Sequence, residues 1–338
     1  MGLNRALKKI YLFLISLAFI IFSGCSSKEV FEPKVVQEDW RYYGDKNISI
    51  VDVSSNIALL ENRTVRTKDG VINLEIGANQ RVISNNDKWI ISSKIDGNLT
   101  LSSKDAKELA IVFELEKTIA SASTKDNKLA VLFANNEIAL YDISSKQLLF
   151  KEQGGKSLTV DSRIVSPYFM NELVVFSTLD GKVIIVNATL NKRLRTIIVS
   201  SENNFNNIIY FNIIDNKIIA ATNTAILSLA GKEIRVRYEI RNILYDNENI
   251  FITTKQGEVI SLNSNLELIT KTKFPFAHFL SVISKENKLY LLEKEGYMIV
   301  LDKKDMTKFM VHPVDTEDGY LFVGDETFYI DDKYISIK

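Results

Sequence analysis

The feature that most constrains the fold is a turn residue that recurs between short apolar segments. The segments are rich in β-branched and aromatic residues, and pairs such as Asp180-Gly181, which tolerate positive φ, separate them. An Asn or Asp marks the first turn of each unit, at Asn56, Asp87, Asn127, Asn171, Asn216, Asn247, Asn287 and Asp325. Intervals of 31 to 45 residues are close to the length of one small four-stranded sheet.

Eight markers predict an all-β fold, an eight-bladed β-propeller over residues 38–338. No segment after Glu38 shows a sustained 3.6-residue apolar stripe, which argues against helices. The last unit provides three strands up to Lys338, so we expect residues 40–43 to supply its fourth strand and close the ring. A seven-bladed ring is the alternative because the first unit is compressed, and a β-sandwich is a weaker one.

The N-terminus has the layout of an export signal. Three basic residues precede an apolar run at residues 10–22, which is shorter than the roughly 20 residues of a membrane span. The residues Phe22-Ser23-Gly24-Cys25 that follow resemble the lipobox of bacterial lipoproteins. This resemblance implies a signal peptide at residues 1–24, removed by cleavage, and lipidation of Cys25, the only cysteine. An uncleaved anchor or an ordinary secretory signal is the alternative.

The residues after Cys25 bear on the location of the protein. Residues 25–37 are predicted to be the lipidated N-terminus and a tether, which reaches about 40 Å when fully extended. Ser26 stands where an Asp would mark retention in the inner membrane. We therefore expect a lipid-anchored protein of the outer membrane that faces the periplasm, with inner-membrane sorting left open.

Charge and residue types limit the chemistry that the chain can perform. The sequence has 42 Lys and Arg against 42 Asp and Glu, so nothing in its net charge favours a nucleic-acid partner. His278 and His312 are the only histidines and do not have the spacing of metal ligands. With Cys25 assigned to lipidation, the sequence predicts no catalytic residue, no metal and no cofactor, and hence a protein that is not an enzyme.

The candidate partner-binding residues are charged or aromatic. Arg193 and Arg195 form one basic cluster, and Arg235 and Arg237 alternate with apolar residues in a second. Phe205 lies in a loop rich in asparagine and should be exposed if that loop is. The long connection at residues 152–168 and the tripeptide Phe274-Pro275-Phe276 are further candidates. In each case the alternative is structural, because charge protects strand edges and loops can pack back on their own blades.

Two repeats, at residues 171–186 and 287–302, resemble those of the PQQ-like β-propeller family. Together with the lipidated cysteine, the resemblance implies a monomeric, lipid-anchored scaffold like the family's outer-membrane assembly lipoproteins. It also implies protein partners, with the outer-membrane β-barrel assembly machinery as the candidate. The family's quinone enzymes need paired cysteines, which this chain lacks. Two further alternatives are a propeller that binds a small ligand in its central channel and a surface-exposed lipoprotein that binds host proteins.

Overall fold

The computed structural model describes residues 29–46, 48–105, 110–316 and 318–337. The predicted signal peptide at residues 1–24 and Cys25 lie outside this part. The described residues form 32 β-strands in eight four-stranded sheets, which confirms the all-β, eight-bladed propeller, and the seven-bladed alternative is wrong. In the same residues no helix is long and apolar enough to cross a membrane.

The strands follow one another blade by blade. The first strand, β1 (Tyr43–Asp45), precedes the blades. Blades 1 to 4 consist of β2 (Ile50–Ser54), β3 (Ile57–Leu60), β4 (Val65–Thr67) and β5 (Gly70–Ile72); β6 (Arg81–Asn85), β7 (Trp89–Ser93), β8 (Asn98–Ser103) and β9 (Ile111–Glu114); β10 (Ile119–Lys125), β11 (Lys128–Phe133), β12 (Glu137–Asp142) and β13 (Leu148–Gln153); and β14 (Tyr168–Met170), β15 (Leu173–Ser177), β16 (Lys182–Asn187) and β17 (Lys192–Ile198).

The second half of the ring repeats the pattern. Blades 5 to 8 consist of β18 (Tyr210–Ile214), β19 (Lys217–Ala221), β20 (Ala225–Leu229) and β21 (Glu233–Arg237); β22 (Ile240–Tyr245), β23 (Ile250–Thr254), β24 (Glu258–Leu262) and β25 (Leu268–Lys273); β26 (Phe279–Lys285), β27 (Lys288–Glu293), β28 (Tyr297–Asp302) and β29 (Phe309–Pro313); and β30 (Leu321–Val323), β31 (Thr327–Ile330), β32 (Lys333–Ser336) and β1. The first strand of each blade is the innermost, and neighbouring strands are antiparallel.

The recurring Asn and Asp residues all lie in the hairpin between the first two strands of a blade, as predicted. Asn171, Asn216 and Asn247 have φ of 51°, 59° and 73°. Asn tolerates this left-handed conformation better than most residues, because its short amide bonds locally. The repeat in the sequence is therefore a repeat of hairpin geometry.

The core of the ring is divided into wedges between neighbouring blades. The buried apolar residues of the described chain form eight clusters, and each joins two adjacent blades. In one of them Phe251 of blade 6 packs with Phe279 and Leu291 of blade 7. Because each blade contributes apolar side chains to both of its neighbours, the ring is one continuous folding unit.

The N-terminal segment crosses from blade 7 to blade 8. The backbone amides of Gln37 and Trp40 donate to Val311 and Pro313 of β29, both at 2.8 Å. β1 then pairs with β32, with Tyr43 opposite Ile335. The strand that joins blade 8 is therefore Tyr43–Asp45, and it begins three residues after the start of the predicted segment at 40–43. The displacement arises because Trp40 is bonded to the neighbouring blade.

Two aromatic residues of this segment are buried. Trp40 is 8% exposed, packs between blades 7 and 8, and donates from Nε1 to the carbonyl of Ser336 at 2.8 Å. Phe31 is 6% exposed and contacts Phe274 and Tyr297 edge-on, at centroid distances of 6.1 and 5.7 Å. The described part of the predicted tether thus packs against the ring instead of extending from it.

Candidate functional site

The four candidate arginines lie on two neighbouring outer strands. Arg193 and Arg195 belong to β17, and Arg235 and Arg237 to β21. These are the outermost strands of blades 4 and 5, and no other described strand pairs with their free edges. The alternation of Ile234 and Val236 with the arginines of β21 turns the apolar side chains inward. We call these two strands and their four arginines the basic rim.

Each arginine of the basic rim contacts a carboxylate. Arg193 pairs with Glu152 at 2.6 Å and Arg237 with Glu202 at 3.2 Å. Glu233 lies between Arg235, at 3.0 Å, and Arg195, at 3.8 Å. The four guanidinium groups therefore share three carboxylates, which leaves an excess of positive charge. Solvent-exposed pairs of this kind contribute only about 0–1 kcal/mol each, so an acidic partner can compete for them at low cost.

Phe205 lies beside the basic rim on a fixed loop. Its side chain is 48% exposed and its φ is 50°. Its backbone amide donates to the carbonyl of Thr159 at 3.1 Å, and Glu202, the partner of Arg237, belongs to the same loop. The next two residues, Asn206 and Asn207, are buried and donate to backbone carbonyls, which holds the loop in place. The structure thus connects the loop of Phe205 to the basic rim through Glu202.

The long connection between β13 and β14 is held by a partly exposed ion pair. Arg163 binds both carboxylate oxygens of Asp161, at 2.8 and 2.6 Å, and donates to the carbonyl of Arg241 in blade 6 at 2.5 Å. Burial alone would raise the pKa of Asp161, but the hydrogen bonds and charge of Arg163 outweigh it and keep that pKa below its ordinary value. Arg163 therefore ties this connection to the innermost strand of blade 6.

Residues at the inner strands of blades 1 to 5 line a cavity of about 360 Å³ with both polar and apolar side chains. Many of these groups bond to one another. Asn56 and Asn85 exchange amide-to-carbonyl hydrogen bonds at 2.8 Å, and the hydroxyls of Ser55 and Ser166 are 3.5 Å apart. Burial raises the pKa of Tyr210 to about 12, so its phenol stays neutral. The described residues contain no group of three side chains arranged to hold a metal ion.

A second surface lies on the rim of blades 6 and 7. The tripeptide at 274–276 divides its aromatic side chains, because Phe274 is buried whereas Phe276 is 55% exposed. Phe309 of β29, 47% exposed, contacts Phe274 edge-on at a centroid distance of 4.9 Å. Together with residues 29–35 they line an open cavity of about 760 Å³. We call it the aromatic groove.

The sequence indicated only part of this groove. Phe274 and Phe276 were candidates because an aromatic pair around a proline is conspicuous in a loop. Phe31 and Phe309 were not, because their role depends on contacts between distant parts of the chain. The single local signal for Phe31 is that it is the only aromatic residue between Cys25 and Trp40.

Comparison with known proteins identifies relatives in sequence. The chain is 32% identical to the plasminogen-binding protein PgbB of Helicobacter pylori strain J99 and 31% identical to that of strain 26695. Each match covers 91% of this chain. The chain spans 66% and 65% of the length of these two relatives, just under two thirds. No protein-family model matches the chain.

Comparison with solved structures identifies the fold. BamB from Moraxella catarrhalis superposes with a TM-score of 0.66, over 89% of this chain and 98% of that protein. The sequences are 13% identical, so the likeness concerns the fold alone. The computationally designed protein Ika8 has a TM-score of 0.61 over 89% of this chain and the whole of its own length, at 14% identity.

Proposed function

We propose that this chain, an eight-bladed β-propeller with the fold of BamB, is a lipid-anchored protein that binds plasminogen and is not an enzyme. The observation that carries the proposal is the sequence likeness to the plasminogen-binding protein PgbB, which runs through 91% of the chain. The match covers 91% of the chain, so it extends over many blades and is not limited to a single repeat. The same relatives favour a binding role over the small-ligand alternative.

The basic rim, with Phe205, is the surface that we assign to binding. Its arginines are exposed and lie on strand edges that no described strand covers. Arginine and aromatic side chains supply most of the energy of protein interfaces, and a fixed ring presents them with little loss of conformational entropy. An acidic segment of the partner would displace Glu152, Glu202 and Glu233 from the arginines.

A charge-neutral variant tests this assignment. We would replace Arg193, Arg195, Arg235 and Arg237 by Gln in the full-length lipoprotein and measure the binding of purified plasminogen. Loss of several charge pairs should weaken binding by at least about tenfold, and wild-type binding should fall as salt rises. The matched control replaces four exposed turn lysines, Lys68, Lys146, Lys294 and Lys304, by Gln. Equal binding by both variants would overturn the assignment, and no binding by the wild type would overturn the function.

Lipidation of Cys25 is part of the proposal. The motif before Cys25 supports cleavage after residue 24, and Ser26 supports transport to the outer membrane. Mass spectrometry of the protein from membranes should show an acylated N-terminal cysteine. A Cys25→Ala variant should appear in the soluble fraction of the cell. Retention of this variant in the membrane, with an unmodified cysteine in the wild type, would contradict the anchor.

Assistance in outer-membrane barrel assembly is the second candidate function, favoured by the fold shared with BamB. A free blade edge could accept an extended barrel strand by β-augmentation. Crosslinking in cells should then recover the barrel assembly machinery, and deletion should alter the outer-membrane protein profile. Protease added to intact cells separates the two roles. It should digest a plasminogen-binding protein on the cell surface and spare an assembly factor in the periplasm.

A further inference from the structure

The aromatic groove carries an exposed apolar patch that the binding role does not use. Val35 is 68% exposed and lines the groove with the half-exposed Phe276 and Phe309. These side chains come from three segments that meet at the rim: the N-terminal segment, the loop after β25, and β29. Exposed apolar side chains that cluster in this way mark a surface that binds another protein or a membrane.

The backbone of the groove is fixed before any contact is made. Phe276 has a φ of 63°, an unfavourable conformation for a bulky side chain, and it nevertheless points into solvent. The carboxylate of Glu293, itself fully buried, accepts a hydrogen bond from the amide of His278 at 2.8 Å and so holds this loop. Gly257 packs closely against the same loop, because a Cβ there would lie only 2.1 Å from the carbonyl oxygen of Phe274.

The groove is also the part of the ring nearest to the proposed lipid. Phe31 is buried in its floor and lies six positions after Cys25 in the sequence. A fully extended chain of that length reaches only about 20 Å. Since the acyl chains of a lipoprotein insert into the bilayer, Phe31 cannot lie further than this from the membrane surface. A tether that left the ring at residue 38 would have allowed about twice that distance.

We propose that the aromatic groove rests on the membrane, with Phe276 and Phe309 inserted at the level of the lipid headgroups. This inference depends on the proposed lipidation of Cys25. Glu29 and Glu32 balance Lys34 and Lys273 around the cavity, so the contact is apolar and does not require anionic lipid. The bilayer thus binds the rim of blades 6 and 7, and the ring stands on its edge.

Tryptophan substitutions test the contact. We would place Phe276→Trp in the full lipidated chain, reconstitute it in phosphatidylethanolamine–phosphatidylglycerol vesicles, and compare ordinary with brominated lipids. The new indole should emit further to the blue and lose most of its intensity in brominated lipid. Phe205→Trp is the matched control, because Phe205 is also half-exposed with a positive φ but lies beside the basic rim. Its emission should not change.

The outcomes separate the contact from the anchor. Quenching of position 276 alone supports the inference, and it should persist in high salt. Flotation of the vesicles in a density gradient reports whether the chain is anchored. A chain that floats with the vesicles while the indole at position 276 is unquenched overturns the groove contact and leaves the anchor intact. Equal quenching at positions 276 and 205 also overturns it, because the ring would then have no fixed orientation. A chain that does not float overturns the anchor and the inference together.

Discussion

The outer strand of blade 7 and the outer strands of blades 4 and 5 are all edge strands, but they are protected in different ways. Each has backbone amides and carbonyls that no further strand of its own blade pairs with. At β29 the N-terminal segment covers the edge, with hydrogen bonds from Gln37 and Trp40. At β17 and β21 the edge stays open and carries arginine. Covering and charging are both known protections of a sheet edge.

The two kinds of edge are expected to contribute to different properties, the covered edge to stability and the charged edge to association. The covered edge buries Phe31 and Trp40, and large buried aromatic side chains contribute several kcal/mol each. The charged edge has exposed ion pairs, which contribute little. We therefore expect substitutions at the covered edge to change folding and substitutions at the basic rim to change association. The following predictions test this division, from the largest expected effect to the smallest.

Trp40→Ala should have the largest effect on stability. It removes a buried indole from the wedge between blades 7 and 8, together with the hydrogen bond to Ser336. The expected loss in the free energy of unfolding is about 3–5 kcal/mol, or a fall in Tm on the order of 10 °C. Arg193→Ala at the open edge should cost less than about 1 kcal/mol. Thermal unfolding of both variants checks this, and equal Tm values would remove the distinction between the edges.

Deletion of residues 38–44 tests the same edge through the backbone. It removes Trp40 and the first residues of β1, so blade 8 loses its outer strand and the cover of β29 is shortened. We expect a loss of stability at least as large as that of Trp40→Ala, measured by calorimetry. An unchanged transition would show that β1 is not needed to close the ring.

Phe31→Ala should release the segment locally and leave the ring folded. Its segment belongs to no blade, and the side chain packs against Phe274 and Tyr297 in the cluster between blades 6 and 7. A cost of up to about 3 kcal/mol is expected, most of it as faster hydrogen exchange at the amides of Gln37 and Trp40. Phe205→Ala removes an exposed ring and should leave these amides protected. Their unchanged exchange in Phe31→Ala would mean that Phe31 does not hold the segment.

Replacing the four arginines of the basic rim by Thr should change association more than stability. Thr favours strands, and its loss of charge leaves two adjacent edges free to pair with another chain. Light scattering should show concentration-dependent self-association, while the free energy of unfolding changes by less than about 1 kcal/mol for each ion pair. The four turn lysines provide the matched Thr control. A variant that remains monomeric would argue that the arginines serve only partner binding.

The smallest expected effect is the pH dependence that arises from Glu293, on the inner strand β27 of blade 7. Burial raises the pKa of Glu293 above its ordinary value, although the amides of His278 and Glu295 donate to it. The unfolded state therefore ionises first as pH rises. The contribution of Glu293 to stability is present in acid and is lost as pH passes through its folded pKa. Glu293→Gln should flatten this dependence in unfolding experiments, and Glu286→Gln, an exposed position of the same blade, should not. Parallel pH profiles for the wild type and Glu293→Gln would contradict the assignment.

Features encoded locally were predictable from the sequence. The eight Asn or Asp turns follow from residue type and spacing, and the structure places each of them in the expected hairpin. The alternation in β21 likewise predicts which side chains face outward. Residue types alone also limited the chemistry, since two histidines and one cysteine supply few catalytic parts.

Features that depend on distant contacts were not predictable. Trp40 reads as part of a strand, but its amide bonds to blade 7 and its indole fills the seam with blade 8, so β1 begins at Tyr43. Phe31 is apolar in a polar segment, and only the folded ring reveals Phe274 as its partner. The carboxylates opposite the arginines come from other strands and loops. Spacing along the chain does not encode these pairs.

The burial of Phe31 has a mechanical consequence. A ring attached to the membrane through a long flexible linker would rotate freely and expose all of its sides. With the proposed lipid on Cys25, the attachment through Phe31 would be short and off-centre, so the ring would change its tilt but would not rotate freely about its own axis. In a ring of eight blades each blade spans about 45°. The boundary between blades 4 and 5 therefore lies about 90° around the ring from the boundary between blades 6 and 7, where Phe31 packs. A protein partner would then approach the basic rim from the side, parallel to the membrane.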